Sequence, residues 1–589
     1  VPAGRGRGEG QRATEAARQS HPLPAPRAGR GRGEGGLALL LLLLLALTPV
    51  AASAAGAHRA PPARSAILLV ADGAGPEAYA LARWVKGSPL ALDAIWTGAV
   101  KTHIADSAIA DSAPAATAYA TGVRSSAAVI GLGPARVTVP GAPAPPAPLL
   151  PRATVLETAR LAGKATGLVA TSTVSHATPA AFAAHVALRD DEQAIMSQLV
   201  HGGVDVVLGG GAALLAAPPA GVRADGQDLA AVLRARGAAL PETAAALAAV
   251  KEGRVFGLFA PGPLSPDLDR AARRPSEPTL REMTAAALRL LSRDPDGFFL
   301  MVEGSQVDWA GHANDPVWLA TELLAFDAAV EEALRFAAGR DDVLVVALSD
   351  HGTGGLTIGN RALEDYTALS PEALAAPFRQ ARMTSAALWA SLGPSPAPAA
   401  VRAGLREDWG VDVGDTAAAE VVARARTLPA DRAHVPLAVA ASVPLRIGWT
   451  THGHTGGDVP LFSAGPGRLT GLVDAPDVGE GLARALGLDL DAATRTLFVD
   501  PAEALPGAEV EVLEVNGRPH SIAITWRGIG ARAPVNGAEV VVQRSTESRL
   551  RGPVPLPGVA LAVTLPGGTR RAWLPARAIQ LVREAAAGR

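Results

Sequence analysis

The sequence predicts an α/β three-layer sandwich with a mostly parallel central sheet, followed by a small C-terminal β-rich module. Two observations predict the sandwich. Apolar runs of strand length alternate with helix-length segments from residue 65 onward. Acidic or imidazole residues also stand at the ends of three of those runs, at one edge of a parallel sheet, where ligands of such folds bind. A third observation sets off the module: beyond residue 505 the helical patterning gives way to short strand-like stretches between Gly and Pro turns.

In chain order, residues 1–36 are rich in Arg, Gly and Pro, a composition that does not build a core. The run Leu37–Leu47 (LALLLLLLLAL) follows arginines at Arg27, Arg30 and Arg32 and precedes the small residues Ala52-Ser53-Ala54. A charged flank, a short apolar run and an A-x-A site describe a secretory signal peptide, so residues 1–57 are expected to be a leader that directs the chain to the periplasm or outside the cell. The run is shorter than the roughly 18–20 residues a membrane span needs, and no stable transmembrane anchor is expected.

The strand-length runs are Ala66–Ala71 (AILLVA), Gly167–Ala170, Val204–Leu208, Phe298–Val302 (FFLMV) and Val343–Leu348 (VLVVAL). Helical patterns lie between them, at Leu280–Ser292 and Leu319–Ala338 for example. Residues 139–151 form a Pro-rich loop, and 352–447 read as a long, mostly helical insertion. The catalytic domain is expected to span 58–504 and the β-rich module 505–589, with strands at Val510–Val515, Ile522–Trp526 and Glu539–Val542.

Composition narrows the chemistry. Of 589 residues 48% are hydrophobic, enough for a sizeable core, and the net charge of −2 gives no basic face for nucleic acid. With no cysteine, disulfides, thiolate metal sites and cysteine nucleophiles are excluded, and any metal must be held by imidazole or oxygen.

Asp72 follows the first run, Glu303 follows FFLMV, and Asp350 and His351 follow VLVVALS. One such residue reads as a helix cap, but three on separate strands read as a polar site whose mutual repulsion a cation would relieve. Residues 111–122, DSAPAATAYATG, place Ser112 at the start of an Ala-rich helix. Taken alone, Asp111-Ser112 is most simply a cap; with a phosphate nearby, the same helix N-terminus would favour negative charge. In EGSQVDWAGH, Asp308 and His312 are four apart and share one helix face. DHGTGG and HGHTGG add adjacent ligand types, and HATPAAFAAHVALR adds His176, Thr178 and Arg189.

These segments, with VADGAGPEA, GVDVVLGGG, GLFAPG and GHTGGDVPL, resemble the alkaline phosphatases in one collinear order from about Ile67 to Gly465. The resemblance implies hydrolysis of small phosphate monoesters through a phosphoserine on Ser112, with Arg189 clamping the phosphate and Asp111 helping to orient that arginine. It implies a first zinc on Asp308, His312 and His454, and a second on Asp72, Asp350 and His351. A third ion, usually magnesium, would use Asp72, Thr178 and Glu303. His176 stands near that third site where some members have aspartate, and imidazole tilts it towards zinc or cobalt. Trp309 stands where some have lysine. His454 is preferred to His452 as the last ligand, and Ser112 to Ser107 as nucleophile, because the surrounding motifs match there; His185 and His201 read as packing or surface residues. The resemblance also admits a homodimer. Two rivals remain: a phosphodiesterase of the same superfamily, and a non-catalytic secreted protein that binds metal or phosphate.

Overall fold

β1 (Ser65–Ala71) is buried along its whole length. A strand with one wet face alternates polar and apolar residues; SAILLVA does not, because both of its faces are covered. Ile67, Leu69 and Ala71 enter one hydrophobic core, and Ala66, Leu68 and Val70 enter another. One sheet between two helix-covered cores is the three-layer arrangement the sequence predicts. The computed structural model describes residues 63–544 and 552–588, and the expected leader at 1–57 lies outside the described residues.

The central sheet has nine strands. After β1 come β2 (Trp96–Lys101), β3 (Ala165–Thr173), β4 (Val206–Gly210), β5 (Val255–Leu258), β6 (Phe298–Gly304), β7 (Val343–Leu348), β8 (Val459–Ala464) and β9 (Gly471–Asp474). Their spatial order is β9-β2-β8-β7-β1-β6-β3-β4-β5. β1 lies parallel between β6 and β7, with Ala66 opposite both Phe299 and Leu344. Parallel pairing continues through β3, β4 and β5, whereas β8 runs antiparallel to both β7 and β2. The five apolar runs of the sequence are β1, β3, β4, β6 and β7. β2, β5, β8 and β9 were not legible: two have only four residues, WTGAVK is partly exposed, and VPLFSA is broken by a proline.

Because β1, β6 and β7 are neighbours with one direction, their carboxyl ends share one edge. Three helices complete that edge: α1 (Ser112–Thr121), α2 (Gln306–Ala313) and α3 (Pro316–Ala337). α3 starts where Asp315 accepts from the N–H groups of Val317 and Trp318 and Pro316 occupies the first turn. The segment between β7 and β8 is mostly helical from Pro371 to Ser442. At its base Gly352–Thr353 pairs antiparallel with His454–Thr455, which carries His454 back to the edge of β7.

Beyond the central sheet, five strands from Glu509 to Pro555 form an antiparallel sheet in sequence order. Residues 529–533 alternate buried and exposed, as one wet face requires. The covered face packs on Ile579 and Val582 of the helix Ala576–Ala586. Among the described residues, no helix is long and apolar enough to cross a membrane.

Candidate active site

Ser112 is the first residue of α1, 2% exposed, and its Oγ lies 3.1 Å from His351 Nε2. Asp111 is the N-cap residue by backbone geometry, yet its side chain makes no capping bond. Its carboxylate instead pairs with the Arg189 guanidinium and accepts from the Ala128 N–H at 3.1 Å. The Asp-Ser pair is therefore more than a helix start: the N-terminal N–H groups of α1 are left to face whatever sits beside Ser112.

Asp308 and His312 stand one turn apart on α2, and their side chains meet His454. His312 Nδ1 donates to the His452 carbonyl at 2.5 Å and His454 Nδ1 to the Ala110 carbonyl at 2.8 Å. A neutral imidazole that donates at Nδ1 presents a lone pair at Nε2. Both Nε2 atoms face each other at 3.1 Å, and they lie 3.3 and 3.6 Å from the Asp308 oxygens. Two lone pairs and a carboxylate converging on one point, with each ring fixed from behind by a carbonyl, is the arrangement of a metal ligand set.

His351 obeys the same logic. Thr353 Oγ1 donates to Asp308 Oδ1 at 2.5 Å, so it accepts from His351 Nδ1 at 3.3 Å. The lone pair at Nε2 then looks towards Asp350 Oδ2 at 3.3 Å, Asp72 Oδ1 at 3.7 Å and Ser112 Oγ. Asp72, Asp308 and His351 together offer ligand atoms within 4.8 Å of one another, as do Asp308, His312 and His454, and Asp72, His176 and Glu303. Asp72 and Asp308 each serve two of these groups, which puts the groups side by side. Gly73 permits the crowding: its φ is +75°, and a Cβ there would lie 2.6 Å from the Asp308 Cα.

Among the described residues, six buried polar atoms here lack a hydrogen-bond partner: both Asp72 oxygens, Glu303 Oε1, Asp350 Oδ2, Thr178 Oγ1 and His176 Nδ1. Buried polar groups are almost always paired, so a cluster of orphans that is mostly carboxylate oxygen fits cations. Burial, reinforced by the charges of Asp350, Asp308 and Glu303, pushes Asp72 well above the usual carboxylate range. Burial likewise pushes Glu303 up to about 7, against hydrogen bonds from Ser305 and Ser172 that oppose it. Burial and then the Arg189 charge push His176 down to about 4. His176 is thus a neutral ring; Arg189 can only donate, so at 3.1 Å it donates to Nε2. Trp309 meets the His176 ring edge to face at 5.8 Å.

Asp72, Asp111, Ser112, His176, Thr178, Arg189, Glu303, Asp308, His312, Asp350, His351 and His454 all lie in this one region. His452 is exposed, with its ring nitrogen on the His312 carbonyl. Ser107 is exposed and accepts from Ile109 N–H. His185 is buried between Gly131 and Glu157, and His201 meets Arg236. Sequence reasoning missed Thr353, which ties Asp308 to His351, and Ser172 and Ser305, which hold Glu303. Thr353 lies inside DHGTGG, but nothing in a lone threonine marks it as a ligand holder.

Residues 63–488 match the family model for alkaline phosphatase. The chain belongs to the alkaline phosphatase family. It is 32% identical over 446 residues to alkaline phosphatase 3 of Bacillus subtilis, covering 72% of this chain and 89% of that one. It is 34% identical over 440 residues to alkaline phosphatase 4 of the same organism, covering 70% and 87%. Among solved structures it is similar to Thermus thermophilus alkaline phosphatase, at 30% identity and a TM-score of 0.64, covering 75% of this chain and 96% of that one. As an alkaline phosphatase the protein is a phosphomonoesterase, and the buried Asp and His groups are its candidate metal sites. The family match ends before the C-terminal five-stranded sheet.

Proposed function

We propose that this alkaline phosphatase works through a phosphoserine on Ser112, with Arg189 as phosphate clamp and three cations beside them. The first zinc would be held by Asp308, His312 and His454, the second by Asp72, Asp350 and His351. The third ion, magnesium or, given His176, zinc or cobalt, would be held by Asp72, Thr178 and Glu303. Imidazole with carboxylate suits zinc, and the oxygen-rich third set suits a harder ion. When bound, such cations neutralise the buried carboxylates, ease loss of the serine proton and stabilise charge on the attacking and leaving oxygens.

The protein's own residues do the rest. Arg189, pinned by Asp111, offers a planar fork to two phosphate oxygens. The start of α1 directs N–H groups at the same charge. Ser112 Oγ, freed of its proton, attacks phosphorus; the P–O bond to the alcohol breaks opposite it, and the alcoholate leaves to take up a proton. Water then attacks the phosphoserine on the face the alcohol vacated, the P–Oγ bond breaks, and inorganic phosphate departs. The observation that carries this reading is Ser112 Oγ set against an imidazole lone pair, with orphaned carboxylates behind it. The run Leu37–Leu47 with its flanks supports action outside the cytoplasm.

Hydrolysis of p-nitrophenyl phosphate at alkaline pH tests the proposal, run beside Ser112→Ala and beside chelated protein refilled with zinc, magnesium or cobalt. Activity that needs both Ser112 and metal is the expected result. Cleavage of bis-p-nitrophenyl phosphate in place of the monoester would point to a diesterase, and cleavage of neither to a binding protein.

A further inference from the structure

The five-residue segment 128–132 has two sides. Towards the site, the Ala128 N–H donates to Asp111 Oδ2 at 3.1 Å, and the Ala128 carbonyl accepts from the Arg189 N–H at 2.8 Å. Ile130 exchanges two backbone bonds of 3.0 Å with Val186, three residues before Arg189. Thr117 of α1 accepts from the Gly131 N–H at 3.0 Å. The segment thus touches the backbone of the clamp, the carboxylate that pins it and the helix that carries Ser112.

Away from the site, Val129 and Leu132 are buried in a cluster whose other members include Leu561, Val563 and Trp573 of the C-terminal module. A second link runs beside it. Gln198 Nε2 donates both to the His185 carbonyl at 3.1 Å and to Asn536 Oδ1 of the module at 2.9 Å. The His185 ring in turn donates at Nδ1 to the Gly131 carbonyl at 2.8 Å and at Nε2 to the Glu157 carboxylate at 3.0 Å. Ala128 itself sits at φ +65°, a left-handed conformation that a residue with a Cβ holds only when its surroundings impose it. Apolar packing on one face and hydrogen bonds on the other are what impose it.

We infer that the C-terminal module positions Arg189: by packing Leu561, Val563 and Trp573 on Val129 and Leu132 it holds segment 128–132, and through Ala128 it fixes the guanidinium where phosphate binds. The inference rests on Arg189 being the phosphate clamp. A fork that must meet two oxygens at once loses affinity when its base shifts by a fraction of an ångström. The module is a positioning element, and its effect is on binding of the phosphoryl group, not on the metals or on Ser112.

The test uses the full-length, metal-loaded protein with Val563→Ala and Asn536→Gly, alone and in an Arg189→Ala background. Asn536 has φ +64°, so glycine removes its amide without straining the backbone. The readouts are kcat and KM for p-nitrophenyl phosphate, competitive inhibition by inorganic phosphate, bound metal and the melting temperature. In the Arg189 background, KM and the phosphate inhibition constant are expected to rise about threefold to tenfold in each module variant with kcat and metal content kept, a range set by partial loss of a charge-assisted pair. In the Arg189→Ala background the module variants should add nothing, because both changes remove one interaction. Unchanged KM and phosphate inhibition, with or without a lower melting temperature, would overturn the inference, and so would effects that multiply with Arg189→Ala. If Arg189→Ala itself leaves phosphate inhibition untouched, the clamp reading fails and takes this inference with it.

Discussion

Removing the metals should cost this protein much of its stability, and the structure sets the scale. The perturbation is dialysis against a chelator at pH 8. Among the described residues, five buried oxygens at the site then have no partner: both Asp72 oxygens, Glu303 Oε1, Asp350 Oδ2 and Thr178 Oγ1. At roughly 1–3 kcal/mol for each buried unsatisfied group, the penalty is on the order of 10 kcal/mol. An unfolding entropy of about 2 cal/mol/K per residue gives roughly 1 kcal/mol/K for a chain of this size, so the midpoint should fall by on the order of 10 °C. The assay is differential scanning calorimetry of native, chelated and refilled protein, with metal content measured on each sample. Refilling should restore the midpoint. Equal midpoints in metal-free and metal-loaded samples would refute the reasoning, because the orphaned atoms would then have been satisfied without cations.

Thr353→Val removes the hydroxyl that donates to Asp308 and receives from His351; it should weaken metal retention about 10- to 100-fold, read by competition with a chromophoric chelator. Glu322 on α3 tests burial away from the site. Burial, then the charge of Asp267, pushes it up to about 8 from 4.5. A raised carboxyl keeps its proton in the fold after the unfolded chain has lost its own, so stability falls as pH rises from about 4.5 to 8. Glu322→Gln stays neutral and still accepts from the Asp267 N–H; it should flatten that decline and gain at most about 5 kcal/mol above pH 8. Parallel stability curves for the two proteins between pH 5 and 9 would contradict the assignment.

How much of this was legible in the sequence depends on what each element asks of it. β1, β6 and β7 are buried on both faces, so their apolar runs stand out and their ends point to Asp72, Glu303 and Asp350 directly. The α2 pair is legible because helical spacing alone puts Asp308 and His312 on one face. His454 is different: it reaches the site through a two-residue ribbon with Gly352–Thr353, a pairing no local pattern encodes. The strands β8 and β9 were missed for local reasons, since a proline breaks the apolar run of β8 and β9 has four partly or fully exposed residues. The chain of contacts from Trp573 through Val129 to Arg189 was also invisible, because it joins residues from separate parts of the sequence by packing.

The most direct test of the central claim is to trap the covalent intermediate. Metal-loaded protein would be incubated with a phosphate monoester, quenched in acid, digested, and searched by mass spectrometry for a phosphoryl group. The account predicts one phosphorylated peptide, with the group on Ser112, absent from Ser112→Ala. A phosphoryl group on another residue, or none on an enzyme shown to release a burst of alcohol ahead of phosphate, would contradict it.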